Sequence, residues 1–98
     1  MTLEEIHNEL KQIRFVNLMP EWKTPGKRVF VSKVMESLLE KYQKAIEVAP
    51  IQHYILFMEL YVEGRTQQEL SVKWGYGVSY IKKLNKKLCQ YLQSVLTD

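Results

Sequence analysis

The tightest constraint on this chain lies between Glu63 and Leu84, where Gly75 and Gly77 stand close behind a helix-start signal. Thr66 is followed three residues later by Glu69, a pair able to exchange side-chain and backbone hydrogen bonds in the first turn of a helix. Gly64 stands just before it, where a preceding helix can close on a left-handed residue at little cost to glycine. The helix that begins at Thr66 must be short, because Gly75 interrupts it and Gly77 follows at once. Beyond Gly77, apolar residues recur at Ile81, Leu84, Leu88, Tyr91, Leu92 and Val95, the three-and-four spacing of a helix with one buried face. The pattern predicts a short helix, a tight turn and a longer basic helix, which together make a helix-turn-helix. In such a unit the helices cross steeply through a turn of about three or four residues that often contains glycine. Leu70, Trp74, Tyr76, Ile81 and Leu84 then fall where apolar groups should face the core, and the small Ser71 lies one helical turn before Gly75.

Helices are expected on either side of the earlier prolines as well. Thr2 and Glu5 form a second capping pair, and Leu3, Ile6, Leu10 and Ile13 make an amphipathic stripe running to about Asn17. Pro20 stops that helix, and Glu21 to Lys27, with Pro25 and Gly26, reads as a loop pinned to the body by Trp22. A long helix is expected from about Arg28 to Val48, with Val31, Val34, Met35, Leu38, Leu39, Tyr42 and Ile46 on its apolar face. Glu40 and Lys44 form a favourable four-residue pair on it. Pro50 breaks the run and suits the first turn of the next helix, about Ile51 to Glu63. That helix is apolar on most faces and is therefore expected to be central. The expected fold class is all-α: a small bundle of about five helices in one domain. Residues 1–49 form an N-terminal helical hairpin in it, and residues 50–98 carry the helix-turn-helix.

Composition narrows the function. The 98 residues suffice for one modest core, and 46% hydrophobic with 26% charged residues suits a globular protein. No apolar run approaches the roughly 20 residues of a membrane helix. The acidic, amphipathic N-terminus does not read as a secretory signal. A lone cysteine, Cys89, excludes an internal disulfide and fits a reducing, cytoplasmic setting, where it reads as a small buried hydrophobe. Up to Gly64 the chain carries eight Lys/Arg against nine Asp/Glu; from Arg65 on it carries six against two. The net charge of +3 thus conceals a positive C-terminal third, and nucleic acid is the first candidate for an anionic partner.

The run from Ile55 to Leu70, with Tyr61-Val-Glu-Gly64 ending one helix and Thr66 to Leu70 starting the next, followed by Gly75, Ile81 and Leu88, resembles a known family. It looks like region 4 of bacterial sigma-70-type factors and, more closely, like the small phage regulators of the ArpU and RinA kind. The resemblance covers residues 50–92; residues 1–49 do not look like sigma region 2. It implies a three- or four-helix bundle whose last helix enters the DNA major groove, often with contact to RNA polymerase. Ser71 stands where that family usually has alanine, and Gly77 where a serine often caps the recognition helix.

At about 100° per residue, Ser79, Lys82, Lys83, Lys86 and Gln90 lie opposite the Ile81–Leu84–Leu88–Leu92 stripe. The N-terminal end of a recognition helix is the part that reaches base edges. Ser79, Lys82, Lys83 and Lys86 are therefore the base-proximal candidates, with Val78 and Tyr80 as flanking contacts. Lysine lacks the bidentate fork of arginine, so affinity is expected from phosphate more than discrimination from bases. Arg65, Thr66, Gln67, Lys73 and Lys87 are the phosphate candidates, aided by the free amides at a helix start.

Catalysis has no support in the sequence. Glu4, Glu5 and Glu9 fall on an exposed helix face, His7 and His53 are isolated, and Gly75-Tyr-Gly77 lacks the lysine and strand of a phosphate loop. No enzyme, cofactor or metal is expected. The leading expectation is a DNA-binding transcriptional regulator, phage or prophage encoded, with double-stranded DNA as partner. RNA polymerase and a second copy of the chain are further candidate partners, and no membrane is involved. The rivals are a protein-binding module docking on polymerase or a sigma factor, and the DNA-recognition part of a phage packaging subunit. DNA recognition of this kind requires Ser79 and Lys82 outside and Gly75 at a bend.

Overall fold

The structure, a computed structural model, describes residues 1–19 and 33–96. Five helices succeed one another: α1 (Leu3–Leu18), α2 (Lys33–Glu47), α3 (Ile51–Phe57), α4 (Gln67–Trp74) and α5 (Val78–Leu96). α3 runs straight on as a π-helical extension, Met58–Val62. Among the described residues there is no strand, and the class is all-α as expected. The predicted start of α2 near Arg28, Val31 on its stripe, and the loop with Trp22, Pro25 and Gly26 lie outside the described residues. None of the described helices is long and apolar enough to cross a membrane.

Local chemistry sets the helix ends. At α1, Thr2 Oγ1 accepts from the Glu5 N–H at 3.1 Å while Glu5 Oε1 accepts from the Thr2 N–H at 3.0 Å. The same reciprocal pair opens α4, with Thr66 and Glu69 at 3.0 and 2.9 Å. Each satisfies two amide donors that a helix start leaves open. Pro50 stands before α3, and its carbonyl accepts from the His53 and Tyr54 N–H groups at 2.9 and 3.1 Å.

The π-helical extension is where this chain departs from a plain α-helical reading. The Glu63 N–H reaches back five residues to the Met58 carbonyl at 2.8 Å, and the Arg65 N–H reaches the Glu59 carbonyl at 3.0 Å across the left-handed Gly64 (φ 77°). Within this extension Leu60 and Tyr61 enter the core behind Leu56 and Phe57. Carbonyls at the end of this segment take donors from α1. Asn17 Nδ2 donates to the Tyr61 carbonyl at 3.0 Å, and Arg14 donates to the Gly64 carbonyl at 2.7 Å. Buried backbone acceptors are thereby paired across two elements.

All five helices share one core. α1 contributes Ile6, Leu10 and Ile13, α2 Tyr42 and Ile46, α4 Leu70, and α5 Ile81, Leu88, Cys89 and Leu92. α3 with its extension touches all four other helices, as its apolar sequence implied. Three phenols bridge elements: Tyr42 donates to Glu9 at 2.7 Å, Tyr61 to Asn85 at 2.6 Å, and Tyr91 to the Ala45 carbonyl at 2.9 Å.

Several stripe positions are corrected. Val34 is 81% exposed, because the first turn of α2 borders a shallow cleft shared with Glu9 and Gln12 of α1 rather than an apolar partner. Val95 is exposed because it lies one turn past Leu92, the last buried residue of α5. Ile51, Tyr54 and Ile55 also face solvent, since α3 buries only Leu56 and Phe57 before the π turn brings more of its surface inside. Tyr76, expected in the core, is 53% exposed and lays its ring against Tyr80, with centroids 4.9 Å apart.

Candidate nucleic-acid interface

The bend between α4 and α5 is built from three residues. Gly75 adopts φ 74° and closes α4. Its N–H and that of Tyr76 both donate to the Ser71 carbonyl, at 2.9 and 3.1 Å, a pattern that satisfies the last carbonyls of a helix. The Ser71 hydroxyl then donates to the Tyr76 carbonyl, so this side chain locks the turn as well as being small. Gly77 follows, and its carbonyl accepts from Tyr80 and Ile81 at 3.0 and 3.3 Å, which makes it the cap of α5 without a capping side chain.

From this turn α5 divides cleanly into two faces. Ile81, Leu88, Cys89 and Leu92 are buried, Val78, Leu84 and Tyr91 are partly covered, and Ser79, Tyr80, Lys82, Lys83, Lys86, Lys87 and Gln90 are exposed. The chain has no Asp or Glu between Glu69 and Asp98, so no carboxylate on α5 screens its lysines. Among the described residues none of these four lysines is held in an ion pair. Lys87 lies to the side of α3: burial first, and then the Lys87 charge, hold His53 below its ordinary value of 6.5.

The phosphate candidates separate into two groups. Arg65 Nε and Lys73 Nζ both grip the Glu59 carboxylate, each at 2.7 Å, and that side chain is only 17% exposed. The Lys73 hydrogen bond, seconded by Arg65 and opposed by burial, keeps the Glu59 carboxyl below its usual range. These two cations thus fasten α4 to the π-helical extension before they can serve any ligand. Thr66 is committed to the cap, and the Glu69 carboxylate lies against the same helix start, which weakens its pull on anions. Among the described residues, Gln67 and Lys87 keep side chains free of such partners.

A further row of basic residues was not anticipated from the sequence. His7, Lys11 and Arg14 share one face of α1 and line a cleft of about 410 Å³ with Arg65, Gln67 and Asn85. Their four-and-three spacing is visible in the sequence, but only the packing of α1 on the π-helical extension brings them to α4. On the other flank of α5, Tyr76 and Tyr80 join Ile55, Trp74 and Leu84 around a smaller hollow of about 290 Å³. Cys89 is sealed inside, and burial pushes its thiol up to about 11.

No family model matches the chain, and no curated protein or solved structure matches it either. The functional reading therefore rests on the arrangement of these side chains.

Proposed function

We propose that this chain is a DNA-binding regulator of transcription, phage or prophage encoded, that grips duplex DNA with α5. One observation carries the reading: the outer face of a helix with a buried inner side bears Lys82, Lys83 and Lys86 beside Ser79, with no carboxylate among them. A helix of about 10–12 Å diameter fits a major groove of about 12 Å. Gly75, at φ 74°, closes α4, and α5 begins three residues later at Val78, with Ser79 and Tyr80 of its first turn exposed. Ammonium groups there would displace counterions from the phosphates, while Ser79, Val78 and Tyr80 would lie nearest the bases. The resemblance of residues 50–92 to sigma region 4 points the same way.

The test is duplex binding by the wild type and by a Lys82→Ala/Lys83→Ala/Lys86→Ala variant, each at low and at moderate salt. The wild type is expected to bind at low salt and the variant to lose at least tenfold. Equal affinity, or no binding by either protein, defeats the proposal.

A second reading, docking on RNA polymerase or a sigma factor, is favoured by the exposed Tyr76–Tyr80 pair and Ile55 on the flank of α5. Contiguous exposed aromatic surface is a common mark of protein contact. A polymerase pull-down that survives nuclease and the three lysine changes, and is lost in Tyr76→Ser/Tyr80→Ser, would select it.

A further inference from the structure

We infer that the cleft between α1 and the start of α4 is a phosphate clamp, so that the N-terminal helix belongs to the DNA interface. The inference rests on the reading of α5 as the DNA-contacting helix and extends it to residues outside the region that resembles sigma region 4.

The cleft lined by His7, Lys11, Arg14 and Arg65 does not stand alone. Its walls at His7, Gln67 and Asn85 are shared with a second hollow of about 340 Å³, whose other side carries Lys82 and Lys86. The two hollows thus adjoin at these residues and together reach from Arg65, past α1, to Lys82 and Lys86 of α5. Five cations border them: Lys11, Arg14, Arg65, Lys82 and Lys86. Among the described residues, no carboxylate lines either hollow. Glu59 is shared between Arg65 and Lys73, and Glu69 is turned onto the Thr66 N–H; Glu4 lies one turn before His7 at the outer end of α1. The groove is thus net positive and elongated, which suits a run of phosphates better than a single compact anion.

Donor chemistry agrees. Lys11 has no ion pair among the described residues. Arg14 spends one N–H on the Gly64 carbonyl and keeps the rest of its fork. Asn85 accepts the Tyr61 hydroxyl on Oδ1, which fixes its amide so that the N–H groups are left for a ligand. Arginine forks and amides are the groups that hold phosphate oxygens and set register on a duplex. With α5 seated in the major groove, the backbone strand on its Lys82–Lys86 flank would pass along this groove.

Amide chemical-shift mapping of the full chain with a short mixed-sequence duplex at low salt tests this. Perturbations are expected both on the α5 face, at Ser79 and Lys83, and in the cleft, at Lys11, Arg14 and Gln67. Changes on α5 alone would overturn the clamp and leave DNA recognition by α5 standing. Changes in the cleft alone would defeat recognition by α5 and, with it, a clamp on the strand beside α5, and none anywhere would sink both. In parallel, Lys11→Ala should weaken duplex binding several-fold whatever the sequence, and lessen the log-affinity against log-salt slope by about one. Lys44→Ala, on α2 where the ammonium pairs with Glu40 at 3.0 Å, should leave both unchanged. Equal losses in the two variants would mean that net charge alone matters and would refute a local clamp.

Discussion

Two glycines share a left-handed backbone and differ in what surrounds them. Gly64 has φ +77° and a Cβ there would collide with Leu18 Cδ2, whereas Gly75 has φ +74° and nothing within 4 Å. Alanine at either position meets the left-handed penalty of about 1–2 kcal/mol. Gly64→Ala must also turn the half-exposed Leu18 side chain aside, so losses of about 2–3 kcal/mol for Gly64→Ala and about 1–2 kcal/mol for Gly75→Ala are expected from urea denaturation. A reversed order would show that Leu18 contributes nothing there. Residues of this kind were legible in the sequence because their chemistry is local: Thr66 with Glu69, and each glycine beside the helix it ends. The Ser71 hydroxyl and the Glu59 carboxylate were not, because their roles depend on partners placed by the turn and by the packing of α4. Arg65 and Lys73 were read as free cations for the same reason: spacing along the chain says nothing about a carboxylate that returns from the preceding helix.

Among elements, the π-helical extension is the one that periodicity mispriced. The run from Ile51 to Glu63 reads as a uniform apolar helix, yet its first turns are half-exposed while Leu60 and Tyr61 are buried side by side. A fixed 3.6-residue period assumes one angular register along the whole run, and the wider turn at Met58–Val62 shifts that register. The segment depends on α1 for its last carbonyls, so Asn17→Ala should leave the buried Tyr61 carbonyl without its donor. A loss of about 1–2 kcal/mol is expected in thermal or urea melts, with amides 58–63 exchanging faster than those of α5. Unchanged exchange across that segment would mean that water replaces the asparagine without cost. α2 was legible in its apolar stripe but not at Val34, because periodicity gives the angle of a residue and not whether a neighbour reaches that turn.

For the molecule as a whole, pH and salt act on separate groups. The folded chain holds His53 below 6.5 and Glu59 below 4.5. Both depressed values mean that the unfolded chain takes up the proton first, so each contribution is present above the unfolded value and is lost as pH falls through the folded one. Stability should therefore weaken in two stages on acidification, beginning below 6.5 and again below 4.5, and His53→Gln should flatten the first stage only. A melt series from neutral to acid pH checks this; a rise in stability between the two values would contradict it. Salt should instead govern the proposed duplex binding. If about four to six phosphates are neutralised, log affinity falls with log salt at a slope of about −4 to −5, and the triple lysine variant should lessen it by about three. The all-α class and the basic exposed face of α5 were readable from composition and spacing. The α1 side of the groove was not, because no local pattern ties residues 7–14 to residue 65.

The wide turn at Met58–Val62 also works as a phase setting. It holds one residue more than an α-helical path would, and each residue of an α-helix adds about 100° of rotation and about 1.5 Å of advance. Everything downstream, including the direction in which Lys82 and Lys83 point, is aimed by that single extra position. Removing one residue between Met58 and Val62 should preserve helicity by circular dichroism yet swing α4 and α5 around relative to α1, splitting the groove that the two ends of the chain build together.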